Sequence, residues 1–156
     1  MIRRVRQSDV EKIEKILKKI PQFTVIEIEI AMELVNIAVN NKTQTDYNVF
    51  VFEQYENVLG YHCTGKRPLT DAVYDMYWIV ADPESQIKGV GTKLVEHAEL
   101  FVTEKGARWL LAETSSRESY TRTRNFYLRN NFSIVAEIND FYSAGDNLIV
   151  FGKYFK

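Results

Sequence analysis

The sequence predicts an α/β (α+β) sandwich, with one central, mixed, mostly antiparallel sheet flanked by about four helices. Three observations carry this. Helical and strand periodicities alternate along the chain in the order β-α-α-β-β-β-α-β-α-β-β. The segment "YNVFVFEQYENVLGYHCT" reads as a hairpin. The segment from Ala72 to Thr114 reads as a strand–helix–strand crossover, which brings one parallel pair into the sheet.

Each element has a local cause. Met1 to Arg6 is expected as a short strand. Asp9 to Ile20 places Val10, Ile13, Ile16, Leu17 and Ile20 on one helical face, and Pro21 ends it. The "VIEIEI" that follows alternates like a strand. Thr24 and Glu27 make a capping box, however, and Ile26, Ile30, Leu34 and Ile37 keep helical spacing, so Thr24 to Asn40 is expected as a helix. Its acids Glu27, Glu29 and Glu33 have no basic partner within it. Tyr47 to Gln54 and Val58 to Thr64 are the hairpin strands, with Glu56-Asn57 as the turn. Ala72 to Ala81 is a long apolar strand that Asp82-Pro83 stops. Gly91 to Lys105 is amphipathic, with Leu94, Val95, Ala98, Phe101 and Val102 inward, and Gly106 follows as its C′ residue. Ala107 to Thr114 is a buried strand. Ser115 and Glu118 predict a second capping box on a helix running to Asn130, ended by Asn131 in the left-handed conformation. Ser133 to Ile138 and Asn147 to Tyr154 are the last strands.

Composition bounds the function. The chain has 156 residues, 46% apolar, which suits one domain spanning 1–156 with a real core. The 20 basic and 21 acidic residues give a net charge of −1, which argues against a nucleic-acid partner. One cysteine, Cys63, permits no internal disulfide and suits a reducing compartment. No apolar run reaches the ~20 residues of a membrane span, and no h-region follows the basic start, so a cytoplasmic protein is expected. No His/Cys cluster has metal-ligand spacing, so no metal is expected.

The motif that demands explanation is "SQIKGVGTKL". It is not a dinucleotide fingerprint, because Leu94 stands where the third glycine belongs. The stretch "GYHCTGKR" mimics a P-loop, but Arg67 replaces the Ser/Thr and Pro68 follows where a helix should start. Gln86-Ile87-Lys88-Gly89-Val90-Gly91 instead fits Q-x-x-G-x-G after a strand and loop, opening a helix. Amides at a helix start have no partner within it and favour an anion, and glycines let that anion touch the backbone. Lys88 and Lys93 add positive charge. The natural guest is a pyrophosphate. The bland alternative is an ordinary helix start in which the glycines only relieve strain.

These residues resemble the GCN5-related N-acetyltransferases (GNAT family), which bind acetyl-CoA. "DMYWIVADPESQIKGVGTKLVEHA" is similar to that family's strand–pyrophosphate loop–helix segment, and "ETSSRESYTRTRNFYLRNNF" to its second conserved segment. The resemblance implies a GNAT-like acyl-CoA N-acyltransferase fold and acetyl transfer to a primary amine of a small molecule or peptide by direct attack. Ile79 and Val80 would hold the pantetheine arm through their main chain. The amides of Lys88, Gly89, Val90, Gly91 and Thr92 would bind the pyrophosphate, with Gln86 alongside. Tyr127 would be the acid near the CoA sulfur. Two departures stand out: Tyr120 occupies the place of the family's early-helix asparagine, and Asn131 that of the turn glycine before Phe132.

The proton acceptor has two candidates. Asp75, within the apolar "VYDMYW", lies where some family members carry a base; the bland reading is a carboxylate facing solvent. Glu113, in "LLAETSS", is the other, with an ion pair to a nearby arginine as its bland reading. His97 is expected to be solvated. His62 and Cys63 are adjacent on a strand and point to opposite faces, so they do not form a nucleophile pair. Four arginines lie between Arg117 and Arg129, expected mostly on a solvated face, with Arg124 left open as a contact to the 3′-phosphate end of CoA. The acceptor side is expected near Phe23, Thr24 and the "NDFYSAGDN" connection, which offers Phe141, Tyr142 and Asp146; the acidic second helix would attract a cationic amine. The final strands offer a homodimer surface. Two other readings share the cofactor motif: a non-catalytic acyl-CoA binding or sensing domain, and a nucleotide-binding regulatory domain.

Overall fold

The computed structural model describes residues 1–156. The element order is the expected one: β1 (Ile2–Arg4), α1 (Val10–Lys18), α2 (Val25–Asn40), β2 (Asn48–Gln54), β3 (Asn57–Lys66), β4 (Val73–Ala81), α3 (Val90–Thr103), β5 (Trp109–Ser115), α4 (Thr121–Arg129), β6 (Ser133–Ser143) and β7 (Asp146–Tyr154). Short 3-10 turns precede α1 and α4. The seven strands form one sheet in the order β1-β2-β3-β4-β5-β7-β6. The β4–β5 pair is parallel, and the β1–β2, β2–β3, β5–β7 and β6–β7 pairs are antiparallel. The chain resolves into two compact units, Met1–Gly65 with Met76–Phe101, and Lys66–Asp75 with Val102–Lys156.

In the first unit the pleat of β2 sorts its side chains. Val49 and Val51 join Ile13, Leu17, Ala31, Val35, Tyr61 and Cys63 in the core under α1 and α2. Phe52, on the opposite face, packs with Val90 and Leu94 of α3, and Phe50 touches His97 and Phe101 of α3. Helices therefore cover both faces of these strands, as the period of two requires. The Thr24–Glu27 capping box forms, with the Thr24 hydroxyl accepting from the Glu27 amide and the Glu27 carboxylate accepting from the Thr24 amide. Helix α2 buries Ala31, Met32 and Val35, while Ile26 and Ile30, which share its helical spacing, are exposed. The β2–β3 turn falls on Tyr55-Glu56, both at positive φ, one residue earlier than expected.

In the second unit β5 pairs with β7 along its whole length, and β7 pairs with β6. Tyr127 of α4 lies against Phe151 of β7 and against Phe132, whose amide donates to the Tyr127 carbonyl. Asn131 takes φ +64° and Gly106 φ +77°, both as expected of helix-ending residues.

Two local expectations need correction, and the rejection of a P-loop gains a physical reason. The Ser115–Glu118 capping box does not form: the Ser115 hydroxyl is engaged with Asp146 and with the Arg117 amide, and a 3-10 turn occupies Glu118–Tyr120. Strand β6 runs to Ser143, so most of "NDFYSAGDN" is hairpin and not loop. The P-loop look-alike is β3 itself. A Cβ on Gly60 would sit 2.5 Å from the Val80 carbonyl oxygen, and one on Gly65 would sit 1.7 Å from that of Asp46. These glycines exist for close backbone approach within the fold and not for phosphate.

Candidate active site

In the first unit, β4 leads through a loop into α3. The loop is built on Asp82. Its amide donates to the Leu59 carbonyl, its carbonyl accepts from the Ser85 amide, and its carboxylate accepts from the Glu84 amide. Lys19 pairs with both Asp82 and Glu84, tying the end of α1 to the loop. Gly89 has φ +78° with open space where a Cβ would stand, and its carbonyl accepts the first helical hydrogen bond, from Lys93. The amides at this start of α3 have no acceptor within the helix. Gln86, Lys88, Gly89, Thr92 and Lys93 are exposed, and Val90 is buried against Phe52 and Leu94, which anchors the turn. Ile79 packs beside this cluster and Val80 is buried in the main core, so their main chain is held from both faces.

In the second unit the parallel register Asp75↔Leu111 places Glu113 two residues further along β5, on the face that Asp75 shares. Arg67, at the end of β3, binds both. Its Nε donates to Asp75 Oδ2 at 2.9 Å, and its Nη2 donates to Asp75 Oδ1 at 2.8 Å and to Glu113 Oε1 at 3.2 Å. These hydrogen bonds raise the Arg67 pKa above its ordinary value, Asp75 contributing most. Asp75 is buried and does not face solvent, whereas the Glu113 side chain is 43% exposed. Both anticipated carboxylates thus share one guanidinium, and sequence reasoning did not single out Arg67. Its only local signal is a cation eight residues ahead of Asp75 across a hairpin.

Tyr127 is buried beneath Phe126, Phe132 and Phe151, and that burial raises its phenol pKa well above the ordinary value. Arg124 is a structural clamp: it donates to the Ser115 and Arg117 carbonyls at 2.8 and 2.7 Å and to the Thr121 hydroxyl. Asp146 does not offer itself to an acceptor, since it is buried against Ser115 and Arg117.

His97 is not simply solvated. Its Nδ1 lies 3.0 Å from His62 Nε2, and His62 Nδ1 lies 2.9 Å from the Thr64 hydroxyl. His62 is fully buried and its pKa is lowered to about 3, by burial first and by His97 second. Cys63 points into the core on the opposite face, its thiol pushed up to about 12 by burial, so it is no nucleophile. No cluster of His, Cys, Asp and Glu is arranged to hold a metal ion, and no helix is long and apolar enough to cross a membrane.

Known proteins share this sequence pattern and fold. The model of the acetyltransferase (GNAT) domain family matches residues 45–134. A crystal structure of a GNAT-family acetyltransferase from Desulfovibrio desulfuricans superposes with a TM-score of 0.94 at 33% identity, over 99% of this chain and 98% of that one. A ribosomal-protein-alanine N-acetyltransferase from Brucella melitensis matches at TM-score 0.76 and 15% identity, over 99% of each chain. An aminoglycoside 6′-N-acetyltransferase complexed with coenzyme A matches at 0.75 and 13%, over 99% of this chain and 96% of that one. The last two likenesses concern the fold alone. A search of the curated proteins finds no match. The chain belongs to the GNAT acetyltransferase family and is an acyltransferase.

Proposed function

We propose that the chain is an N-acetyltransferase that moves the acetyl group of acetyl-CoA to a primary amine of a small molecule or peptide, by direct attack of the amine. The observation that carries this is the strand–loop–helix of the first unit, with Gly89 at positive φ in open space at the start of α3. The amides of Lys88, Gly89, Val90, Gly91 and Thr92, with Gln86 alongside, fit a diphosphate, and Lys88 and Lys93 add charge of the right sign. A structure of the same fold is complexed with coenzyme A, which supports the same cosubstrate here.

When bound, acetyl-CoA supplies an acetyl thioester, an electrophile with a mildly basic leaving group. The residues of this chain do the rest. The main chain of Ile79 and Val80 orients the pantetheine arm, and a backbone amide there is the donor for charge developing on the carbonyl oxygen. Burial keeps Tyr127 protonated. A phenol is a weaker acid than a thiol, roughly 10 against 8.5, so Tyr127 serves the leaving sulfur as a hydrogen-bond donor and does not surrender its proton fully. Glu113 is the acceptor for the proton that the amine must lose, directly or through water. Asp75 occupies Arg67 from the buried side and so fixes the guanidinium that meets Glu113.

The acceptor in this reading is a cationic amine. Helix α2 exposes Glu29 and Glu33 with no base among its residues. The buried free thiol of Cys63 suits the reducing conditions of a cytoplasmic enzyme. The test is release of free CoA from acetyl-CoA against a panel of polyamines, amino sugars and peptide α-amines. Turnover with one class supports transfer. Coenzyme A binding without amine-dependent release in any class points instead to a sensing domain.

A further inference from the structure

Two arginines that brace the fold spend both terminal nitrogens on it. Arg3 donates to Arg4, Asp9 and Glu53, and Arg124 donates to the Ser115 and Arg117 carbonyls and the Thr121 hydroxyl. Arg67 differs. Its Nε–H and the two hydrogens of Nη2 go to Asp75 and Glu113, while the two hydrogens of Nη1 meet no acceptor of the protein. Glu113 is open in the same way: Oε1 accepts from Arg67, and Oε2 receives no protein donor. Both side chains reach solvent, at 42% and 43% exposure. An unspent donor and an unspent acceptor therefore stand side by side, on groups joined by a contact of 3.2 Å.

The pair is held in place. The Arg67 amide donates to the Val73 carbonyl, and the Arg67 carbonyl accepts from the Thr70 amide and hydroxyl, which fixes its main chain. Buried Asp75 grips the guanidinium along its Nε–Nη2 edge and leaves Nη1 facing away. All three side chains belong to the second unit. The cluster holds one more acid than base. A cationic amine restores the balance, whereas a carboxylate on the same acceptor would set a further negative charge beside Glu113. The oxygen that suits Nη1 is therefore a neutral carbonyl.

We infer that Arg67 is a specificity-determining residue and that the acceptor is an α-amino amide, with its amine at Glu113 and its carbonyl oxygen accepting from Arg67 Nη1. Such a molecule carries its donor and its acceptor on neighbouring carbons, which matches the neighbouring open groups. A polyamine or an amino sugar brings the amine without the carbonyl and leaves Nη1 unpaired. The inference rests on the acetyl-transfer reading and narrows the acceptor within it. In the reaction the amine nitrogen bonds to the acetyl carbon, the carbon–sulfur bond breaks, and coenzyme A leaves with the electron pair. The amine proton passes to Glu113, directly or through water, and Arg67 stays protonated throughout.

The test is release of CoA by the full chain with matched pairs, glycinamide against methylamine and leucinamide against isopentylamine, with kcat/KM counted per unprotonated amine. Free leucine, a leucine-headed tripeptide, a polyamine and an amino sugar complete the panel. The wild type is expected to prefer the amide in each pair by at least about tenfold, and to prefer leucinamide to free leucine. Comparison of leucinamide with the tripeptide shows whether a small amide or a peptide supplies the group. In Arg67→Lys, which keeps a cation for Asp75 and loses the fork, the amide preference is expected to fall at least about tenfold. A residue that only braced Glu113 would lower both members of a pair alike, so an unchanged ratio overturns the inference. Should the variant not fold by circular dichroism, the wild-type ratios decide alone. A wild type that takes amides and amines equally, or favours the polyamine or amino sugar, overturns the inference while acetyl transfer stands. No release with any amine overturns both.

Discussion

Arg67 and Asp75 form a two-pronged ion pair, Nε to Oδ2 at 2.9 Å and Nη2 to Oδ1 at 2.8 Å, and the same Nη2 reaches Glu113 at 3.2 Å. One guanidinium thereby orients both carboxylates that the sequence offers for chemistry.

Replacing Arg67 with Ala leaves the buried Asp75 carboxylate without its partner. The Arg67 side chain is 42% exposed, so solvent screening reduces the loss. A stability decrease of about 1–2 kcal/mol is expected by denaturant unfolding. Asp75→Asn, which keeps the shape and one acceptor, should cost less. Equal costs would show that the pair is not what holds this corner.

Tyr127→Phe removes one hydroxyl and keeps the ring against Phe132 and Phe151. The chain should fold unchanged, with kcat lowered about 10- to 100-fold and the KM for acetyl-CoA little altered. A kcat within a factor of about two of wild type contradicts the donor role.

Gly60→Ala tests the support of β4 from behind. The new methyl would lie 2.5 Å from the Val80 carbonyl oxygen and 3.1 Å from Leu94 Cδ1, so the backbone there must move. The KM for acetyl-CoA is expected to rise about tenfold. An unchanged KM would remove Val80 from the cofactor site.

His62 makes stability depend on pH. Its folded pKa of about 3 lies below the unfolded value of 6.5, so the unfolded chain binds a proton that the folded chain refuses. The contribution is fully present above pH 6.5 and is lost as pH falls from there toward 3, by up to about 1.4 kcal/mol per pH unit. Urea unfolding between about pH 7.5 and pH 5 should show wild type losing more stability than His62→Gln. Parallel losses would mean that His62 already carries its proton in the folded state.

Much of this was legible in the chain. The element order needed only periodicity and punctuation, and α2 was recovered against its strand-like "VIEIEI" because the Thr24–Glu27 box is local. Failures came where a distant partner won. Ser115 looked like a cap, but Asp146, 31 residues away, takes its hydroxyl. His97 looked solvated until β3 brought His62 beneath it. Arg67 acquires its role only once β4 and β5 are in register, because Glu113 is 46 residues distant. The end of β6 was hidden by Asn, Asp and Gly, residues that mark loops but here serve a hairpin with positive φ at Asp140 and Gly145.

The most direct test of the whole account is calorimetric titration of the chain with coenzyme A, repeated with Gly91→Asp, which sets a carboxylate at the start of α3. The account predicts saturable binding of one coenzyme A per chain, weakened at least about 100-fold in the folded variant. Absence of binding to the wild type, or equal affinity in the two, would contradict it.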